Sequence, residues 1–183
     1  MQTGLGYLTE RGYAASALND ILQQAGVPKG VFYHYFKDKA DFGLQLIDAY
    51  DAFFTRKLEK CFGRESKTAF ERFQLFVDDA AKGMAKFGFR RGCLVGNLGQ
   101  EMNALPESFR SRLIAVAEGW EEKTRNCLRK GQVNGELVYD LDVGALSRFF
   151  WIGWEGAVLR AKLELRAEPL YAFAEGIFGL IKP

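Results

Sequence analysis

Apolar residues recur along most of the chain at intervals of three and four, the spacing that places them on one face of an α-helix. Near the N-terminus this pattern comprises Leu18, Ile21, Leu22 and Ala25. Two longer stripes comprise Phe70, Phe73, Val77, Ala80, Met84 and Phe87, and then Leu113, Val116, Ala117, Trp120 and Leu128. Because alternating, strand-like stretches are scarce, the pattern predicts an all-α fold.

Glycine, proline and polar clusters divide these stripes into separate helices. A first helix is expected to begin almost at Met1, and Ser16 is the predicted N-cap of the second. Pro28 suits the first turn of a short third helix, and Asp38 is the predicted N-cap of a fourth that runs to about Cys61. Later helices are expected over about 68–87, 93–103, 106–131, 143–165 and 169–181.

The composition limits the class of protein. The 183 residues allow a small domain and a larger one, and a net charge of +2 means that nucleic-acid binding would depend on where charges are placed. Three irregularly spaced cysteines indicate neither a disulfide framework nor a metal site. No apolar run approaches the roughly 18 residues of a membrane span. We therefore expect a cytoplasmic protein with no cofactor and no metal.

Two short helices joined by a turn that contains Gly26 form the pattern of a helix-turn-helix motif. On the third helix, Phe32 and Phe36 lie four residues apart and are expected to face the core. The exposed face would then present Lys29, Val31, Tyr33 and His34. A lysine, a small apolar group and aromatic donors suit a major groove, where they contact phosphates and thymine methyl groups.

The same residues also permit a purely structural interpretation, in which all the aromatic side chains between Phe32 and Phe36 pack in the core. Residues 1–46 contain four basic and four acidic side chains, so the segment has no net charge with which to attract DNA. The residue pattern alone leaves both interpretations open.

The stretch RGYAASALNDILQQAGVPKGVFYHYFKDKADF, residues 11–42, resembles the DNA-binding domain of the TetR family of bacterial repressors. The resemblance implies a helix-turn-helix domain over residues 1–46 and a helical ligand-binding and dimerisation domain over residues 47–183. It also implies a homodimer whose recognition helices, about Pro28 to Tyr35, enter successive major grooves of a near-palindromic operator.

The TetR pattern further implies roles for individual residues in DNA binding. Asn19, Lys29 and Val31 would approach bases, and Tyr33, Tyr35 and Lys39 would hold phosphates with His34 beside them; Ser16 and Gly30 complete the DNA-binding set. Two departures from the pattern matter. Relatives usually carry a small hydroxyl residue at the position of Val31, and they usually have a basic arm before the first helix. Each missing phosphate contact would weaken salt-sensitive binding.

The stretch GFRRGCLVGNLGQEM contains a cysteine, Cys93, at an expected helix start and close behind Arg90 and Arg91. Positive charge and a helix N-terminus both favour a thiolate, but most free cysteines are small buried apolar residues, so both interpretations stay open. Further along, Gly153, Gly156 and Ala157 form a small-residue face that suits a dimer contact through the last two helices.

Aromatic and polar residues elsewhere suggest a pocket for a small ligand. The candidate ligand-binding set comprises Met84, Phe87, Arg90, Cys93, Asn97, Trp120, Trp151, Trp154, Glu155 and Lys162. Tryptophans are more often plain core residues than pocket walls, and the pattern does not decide between these roles.

The stretch GFRRGCLVGNLGQEMNALP, residues 88–106, resembles an acrylate-responsive subgroup of the TetR family and, more distantly, its electrophile-responsive repressors. This resemblance implies a small, reactive effector. For acrylate, a cation for the carboxylate would come from Lys162, Arg90, Arg91 or Arg160, among which the spacing does not decide. Asn97 would donate a hydrogen bond, and Trp151 and Trp154 would enclose the vinyl group.

Three functional hypotheses follow. The first is a repressor that acrylate or a similar small unsaturated carboxylate releases from its operator; the second is a repressor that senses electrophiles through Cys93. The third hypothesis, an enzyme that acts on an acrylate-like substrate, has the least support in the sequence. The only histidine lies in the DNA-facing motif, and no phosphate-binding loop or nucleophile–base pair is assignable. We therefore expect no enzymatic activity.

Overall fold

The structure is a computed structural model that describes residues 1–181, and the regular structure of these residues is helical, which confirms the predicted all-α fold. The helices are α1 Gln2–Arg11, α2 Leu18–Ala25, α3 Lys29–Tyr35, α4 Lys39–Phe62, α5 Ala69–Ala85, α6 Leu94–Gln100, α7 Glu107–Val133, α8 Val143–Glu164 and α9 Glu168–Ile181. A short 3-10 helix, Met102–Ala104, follows α6. No helix within these residues is long and apolar enough to cross a membrane.

The helices belong to two compact units. Unit 1 comprises Met1–Phe53 and Arg91–Val116, and unit 2 comprises Phe54–Arg90 and the chain from Ala117 onward. Unit 1 therefore contains the whole of α1, α2, α3 and α6, together with the N-terminal parts of α4 and α7. The predicted domain division at residue 46 stays a prediction.

Unit 1 packs around buried apolar side chains from its helices, among them Leu8, Ile21, Leu22, Phe32, Phe42, Leu46, Leu98 and Phe109. The predicted inward stripe of α2 is right for Ile21 and Leu22, but Ala25 is exposed because it lies in the last turn before the chain leaves the helix. At α4, Asp38 accepts a hydrogen bond from the Asp41 N–H at 2.8 Å, as expected of an N-cap.

The prediction that Ser16 caps α2 is wrong. Ala17 holds the N-cap position, and no side chain caps the helix. The Ser16 side chain is instead fully buried, and its hydroxyl donates to the Gly12 carbonyl. A serine hydroxyl competes well for nearby backbone carbonyls, so it closes the turn before the helix rather than starting the helix.

In unit 2, α5 begins with a capping box. The Thr68 hydroxyl accepts from the Glu71 N–H, while the Glu71 carboxylate accepts from the Thr68 N–H. At the other end of the unit, α8 and α9 pack closely because Gly153 leaves room for the ring of Phe173. These local features hold the long helices that carry the aromatic core.

Candidate functional site

The aromatic side chains of α3, the helix expected to contact DNA, lie on different faces of that helix. Phe32 is only 3% exposed and packs edge-on against Phe42, with ring centroids 5.4 Å apart. Phe36 is half-buried and lies 4.8 Å from the same ring. Tyr35, in contrast, is 70% exposed. The predicted assignment of the two phenylalanines to the core is therefore confirmed.

The opposite face of α3 is open to solvent. Its exposed side chains and glycine are Lys29, Gly30, Val31, Tyr33, His34 and Tyr35. Asn19 on α2 is exposed as well. The structure thus places positive charge, hydrogen-bond donors and one branched apolar group on neighbouring exposed surfaces. Contact of these residues with DNA stays a prediction.

A tight turn sets the position of α3 behind α2. Gly26 adopts a left-handed conformation with φ 64° and ψ 30°, which a residue without a side chain enters at little cost. The Val27 N–H then donates to the Leu22 carbonyl at 3.0 Å, which ends α2 in a Schellman-type cap. Pro28, extended at ψ 143°, stands at the N-cap of α3.

Two residues of the predicted DNA-binding set have partners inside unit 1. Ser16 is buried as described above, so its hydroxyl does not face solvent. The Lys39 ammonium donates to the Tyr13 carbonyl at 2.9 Å and lies 4.1 Å from the centroid of the Tyr13 ring. Burial lowers the pKa of Lys39, and the nearby carboxylate of Glu101 opposes this shift. An ammonium has three N–H donors, so Lys39 retains the capacity for a phosphate contact.

The predicted ligand-binding set is divided between the two units. Cys93 and Asn97 belong to unit 1, and the remaining eight residues belong to unit 2. The Asn97 amide donates to the carbonyls of Leu8 and Thr9, at 2.9 and 2.8 Å. Asn97 therefore holds the C-terminal end of α1, a role that its position in the sequence did not indicate.

Three tryptophans of the set pack into the aromatic core of unit 2. Trp120 lies 4.3 Å from Phe54 and 5.2 Å from Trp151 between ring centroids, and Trp154 lies 4.9 Å from Phe76. The structure therefore supports the core interpretation of these rings.

The polar edge of this cluster is occupied. The Trp151 indole N–H donates to the Thr124 hydroxyl oxygen at 2.9 Å, and Thr124 in turn donates to the Trp120 carbonyl at 2.9 Å. The indole donor is thus satisfied by the protein itself, as is usual for a buried tryptophan.

The other residues of the set lie at different depths. Met84 is buried, Glu155 and Lys162 are half-buried on α8, and Phe87 and Arg90 are exposed.

Elsewhere in unit 2, a groove of about 250 Å³ lies between the end of α4 and α7, where Leu58, Phe62, Lys123 and Cys127 contribute to its walls. Among the described residues, no group of three or more His, Cys, Asp or Glu side chains is arranged to hold a metal ion.

All three cysteines are buried. Burial raises the pKa of the Cys127 thiol to about 11 and raises that of Cys61 as well. Cys93 stands at the N-cap position of α6 with only 8% of its surface exposed. A buried position restricts access of reagents to a thiol, which does not favour an electrophile sensor at Cys93.

Comparison with known proteins gives two family matches. Residues 2–46 match the family described as "Bacterial regulatory proteins, tetR family". Residues 69–177 match the family described as "Tetracyclin repressor-like, C-terminal domain".

Individual relatives agree with these matches. The chain is 56% identical to "Transcriptional regulator AcuR" of Cereibacter sphaeroides over 94% of this chain and 79% of that protein. It is 31% identical to "HTH-type transcriptional repressor DhaR" of Mycobacterium sp. strain GP1, over 100% of this chain and 90% of that protein. The crystal structure of "regulatory protein TetR from Rhodobacter sphaeroides" superimposes with a TM-score of 0.94 at 55% identity, covering 96% of this chain and 93% of that one.

The burial of the thiols predicts their behaviour towards Ellman's reagent. The folded protein is expected to react at least about tenfold more slowly than the chain unfolded in denaturant, because folding restricts access to the sulfur atoms. Absorbance would follow the reaction, with Cys93→Ser as the matched variant. One thiol that reacts rapidly in the folded protein and disappears in Cys93→Ser would contradict this expectation.

Proposed function

The chain belongs to the TetR family of bacterial transcriptional regulators, and we propose that it is a homodimeric repressor that acrylate releases from its operator. The observation that carries the proposal is the two-sided α3, which is anchored by Phe32 and exposes its polar face. Family membership makes the protein a DNA-binding regulator. We propose four further properties: repression as the direction of regulation, acrylate as the effector, the contacts with DNA, and the homodimer.

The contacts with DNA follow from the exposed chemistry of α2 and α3. Lys29 neutralises a phosphate or reaches a guanine edge at the beginning of α3, and Asn19 approaches a base from α2. Val31 contacts a thymine methyl group, since it offers only apolar surface. Tyr33 and Tyr35 donate to phosphate oxygens, with His34 beside them; Lys39 adds charge at the N-terminus of α4.

An exposed apolar stripe on α8 supports the homodimer. The stripe comprises Phe149, Ile152, Gly156, Leu159 and Leu163, with successive spacings of three and four residues. Ile152 and Leu163 are 68% and 72% exposed, unusual for branched apolar side chains arranged in a row. A second copy of the same stripe would cover it, as two-fold dimers require.

The small-residue face predicted for the dimer is divided in the structure. Gly153 faces Phe173 of α9 within the subunit, and Ala157 is buried. Of the three, only Gly156 is exposed, and no atom of a neighbouring residue lies within 4 Å of the position that a Cβ atom would take, so Gly156 belongs to the apolar stripe. On α9, Gly176, Gly179 and Leu180 are exposed too. We therefore keep the proposed interface on the last two helices and assign it to this exposed surface.

The effector is proposed to act on the aromatic core of unit 2. Trp151, Glu155 and Lys162 follow the spacing i, i+4, i+11 and share one side of α8. Lys162 would pair with the acrylate carboxylate, and the vinyl group would insert among the rings. Because these rings are in contact, the effector has to stabilise an opened arrangement, and its differential affinity for that form is what would release DNA.

Acrylate is proposed because residues 88–106 resemble the acrylate-responsive subgroup. The same residues resemble the electrophile-responsive repressors less closely. The burial of Cys93 does not favour covalent sensing, so we do not propose it.

The DNA-binding proposal predicts the effect of removing Lys29. A duplex enriched by the wild-type protein from a random-sequence pool would serve as operator. Lys29→Ala is expected to weaken binding and to reduce the slope of log affinity against log salt by about one per subunit, because one phosphate contact is lost. Lys130→Ala removes an equal charge from the exposed surface of α7 and is the control. Identical salt slopes for the two variants would argue against the assigned role of Lys29.

The effector proposal predicts selective release from the same duplex. Acrylate is expected to dissociate the complex in a gel-shift titration at lower concentration than propionate, which has the carboxylate but lacks the vinyl group. Lys162→Met should raise the required acrylate concentration by about tenfold or more through loss of a charge-assisted contact. Lys60→Met, at an exposed lysine of α4, is the matched control. Operator binding that persists at saturating acrylate would refute this effector, and release that survives Cys93→Ser would show that covalent capture at that residue is not needed.

The exposed α8 stripe predicts how dimerisation responds to charge. Ile152→Glu is expected to produce monomers at micromolar concentration, because two buried carboxylates would face each other across the two-fold axis. Val133→Glu introduces the same charge at an exposed apolar residue outside the stripe and should leave the mass unchanged. Light scattering coupled to gel filtration measures both, and a dimeric Ile152→Glu protein would place the interface elsewhere.

A further inference from the structure

The turn between α1 and α2 is held by a carboxylate from a distant part of the chain. Glu101, the residue after α6, accepts a hydrogen bond from the Tyr13 N–H at 3.1 Å with one oxygen. Its other oxygen accepts from the Ala14 N–H at 2.7 Å. Both carboxylate oxygens are therefore used to fix two consecutive peptide groups of the turn.

The residue before these two peptides is shaped for the carboxylate. Gly12 has φ 82° in the left-handed region and ends α1 through its N–H, which donates to the Leu8 carbonyl at 3.1 Å. A Cβ atom at this position would overlap with a carboxylate oxygen of Glu101. The turn thus has no room for a side chain where the carboxylate approaches.

The same turn is held from the α4 side. The Lys39 ammonium at the beginning of α4 donates to the Tyr13 carbonyl, so Tyr13 is bound through its N–H by Glu101 and through its C=O by Lys39. The buried Ser16 hydroxyl fixes the Gly12 carbonyl. The chain enters α2 at Leu18, only a few residues beyond these contacts.

We propose that Glu101 is a positioning residue for operator recognition. Its carboxylate fixes the turn from which α2 departs, and α2 carries α3 through the rigid cap at Gly26. Asn97 and Gly92 bind the end of α1 from the same segment, so this part of unit 1 sets the direction in which the recognition helix faces. The inference rests on the proposed DNA contacts of α3 and does not depend on the identity of the effector.

A glutamine at this position tests the geometry sharply. A carboxylate accepts both N–H groups, whereas the Gln amide has one accepting oxygen and places its own N–H₂ against the second donor. Glu101→Gln should therefore loosen the turn while it preserves the size of the side chain. Glu107→Gln removes the same charge from an exposed glutamate in unit 1 whose carboxylate binds Arg110 on its own helix, and it is the matched control.

The experiment compares sequence-specific with non-specific binding by fluorescence anisotropy. With the duplex selected by the wild-type protein, Glu101→Gln is expected to bind about tenfold more weakly, while its affinity for unrelated DNA stays within about twofold of that of Glu107→Gln. A merely structural defect would lower both affinities and the midpoint of urea unfolding together. Equal ratios of specific to non-specific affinity in the two variants would overturn the proposal.

Amide hydrogen exchange provides a second test, which begins with the wild-type protein. The Tyr13 and Ala14 amides are expected to exchange slowly, and Glu101→Gln should accelerate both. Rapid exchange of these amides in the wild type would show that the carboxylate does not hold the turn and would overturn the inference. Failure of the wild type to enrich any duplex would instead count against the proposed function, and the exchange result would still decide whether the Glu101 carboxylate holds the turn.

Discussion

A seven-residue helix cannot maintain its own position, and the proposed DNA-binding surface depends on how the rest of unit 1 holds α3. Isolated helices shorter than about 12 residues are marginal in water, so α3 owes its structure to the burial of Phe32 and the contact of Phe36 with Phe42. Phe42 in turn lies beside Gly4 of α1, where a larger residue would collide with it. The exposed polar face of α3 is a consequence of this one-sided anchoring.

Unit 2 is organised differently, because the three tryptophans of its candidate effector set belong to a packed aromatic core rather than an open pocket. Contacts between Phe54, Trp120 and Trp151 contribute to stability, and Thr124 satisfies the indole donor. A ligand that enters such a core loses these contacts and has to replace them with its own. The proposed regulation therefore depends on the free-energy difference between a closed and an opened arrangement, which a carboxylate paired with Lys162 would shift.

Much of the fold is predictable because helix starts and ends are encoded locally. Gly26, Pro28 and Asp38 have backbone and capping preferences that act within a few residues. The structure confirms the turn at Gly26 and the cap at Asp38, whereas Pro28 stands at the N-cap of α3, one residue before the first turn in which it was expected. The proposed dimer surface was less predictable because α8 is apolar on several sides. Periodicity alone does not show which of those sides packs within the subunit, so Gly153 was grouped with Gly156 although only Gly156 is exposed.

The sequence by itself determined the all-α fold, because its apolar residues follow the helical period. The helix-turn-helix and the division of the α3 aromatics by face were left open by the residue pattern, and the resemblance of residues 11–42 to the TetR DNA-binding domain decided between the interpretations. The tertiary structure decided the roles of Lys39, Asn97 and Glu101. Their hydrogen-bond partners lie 26 to 89 positions away along the chain. A polar side chain has no periodic preference that identifies such a partner. Folding alone brings each donor and its acceptor together.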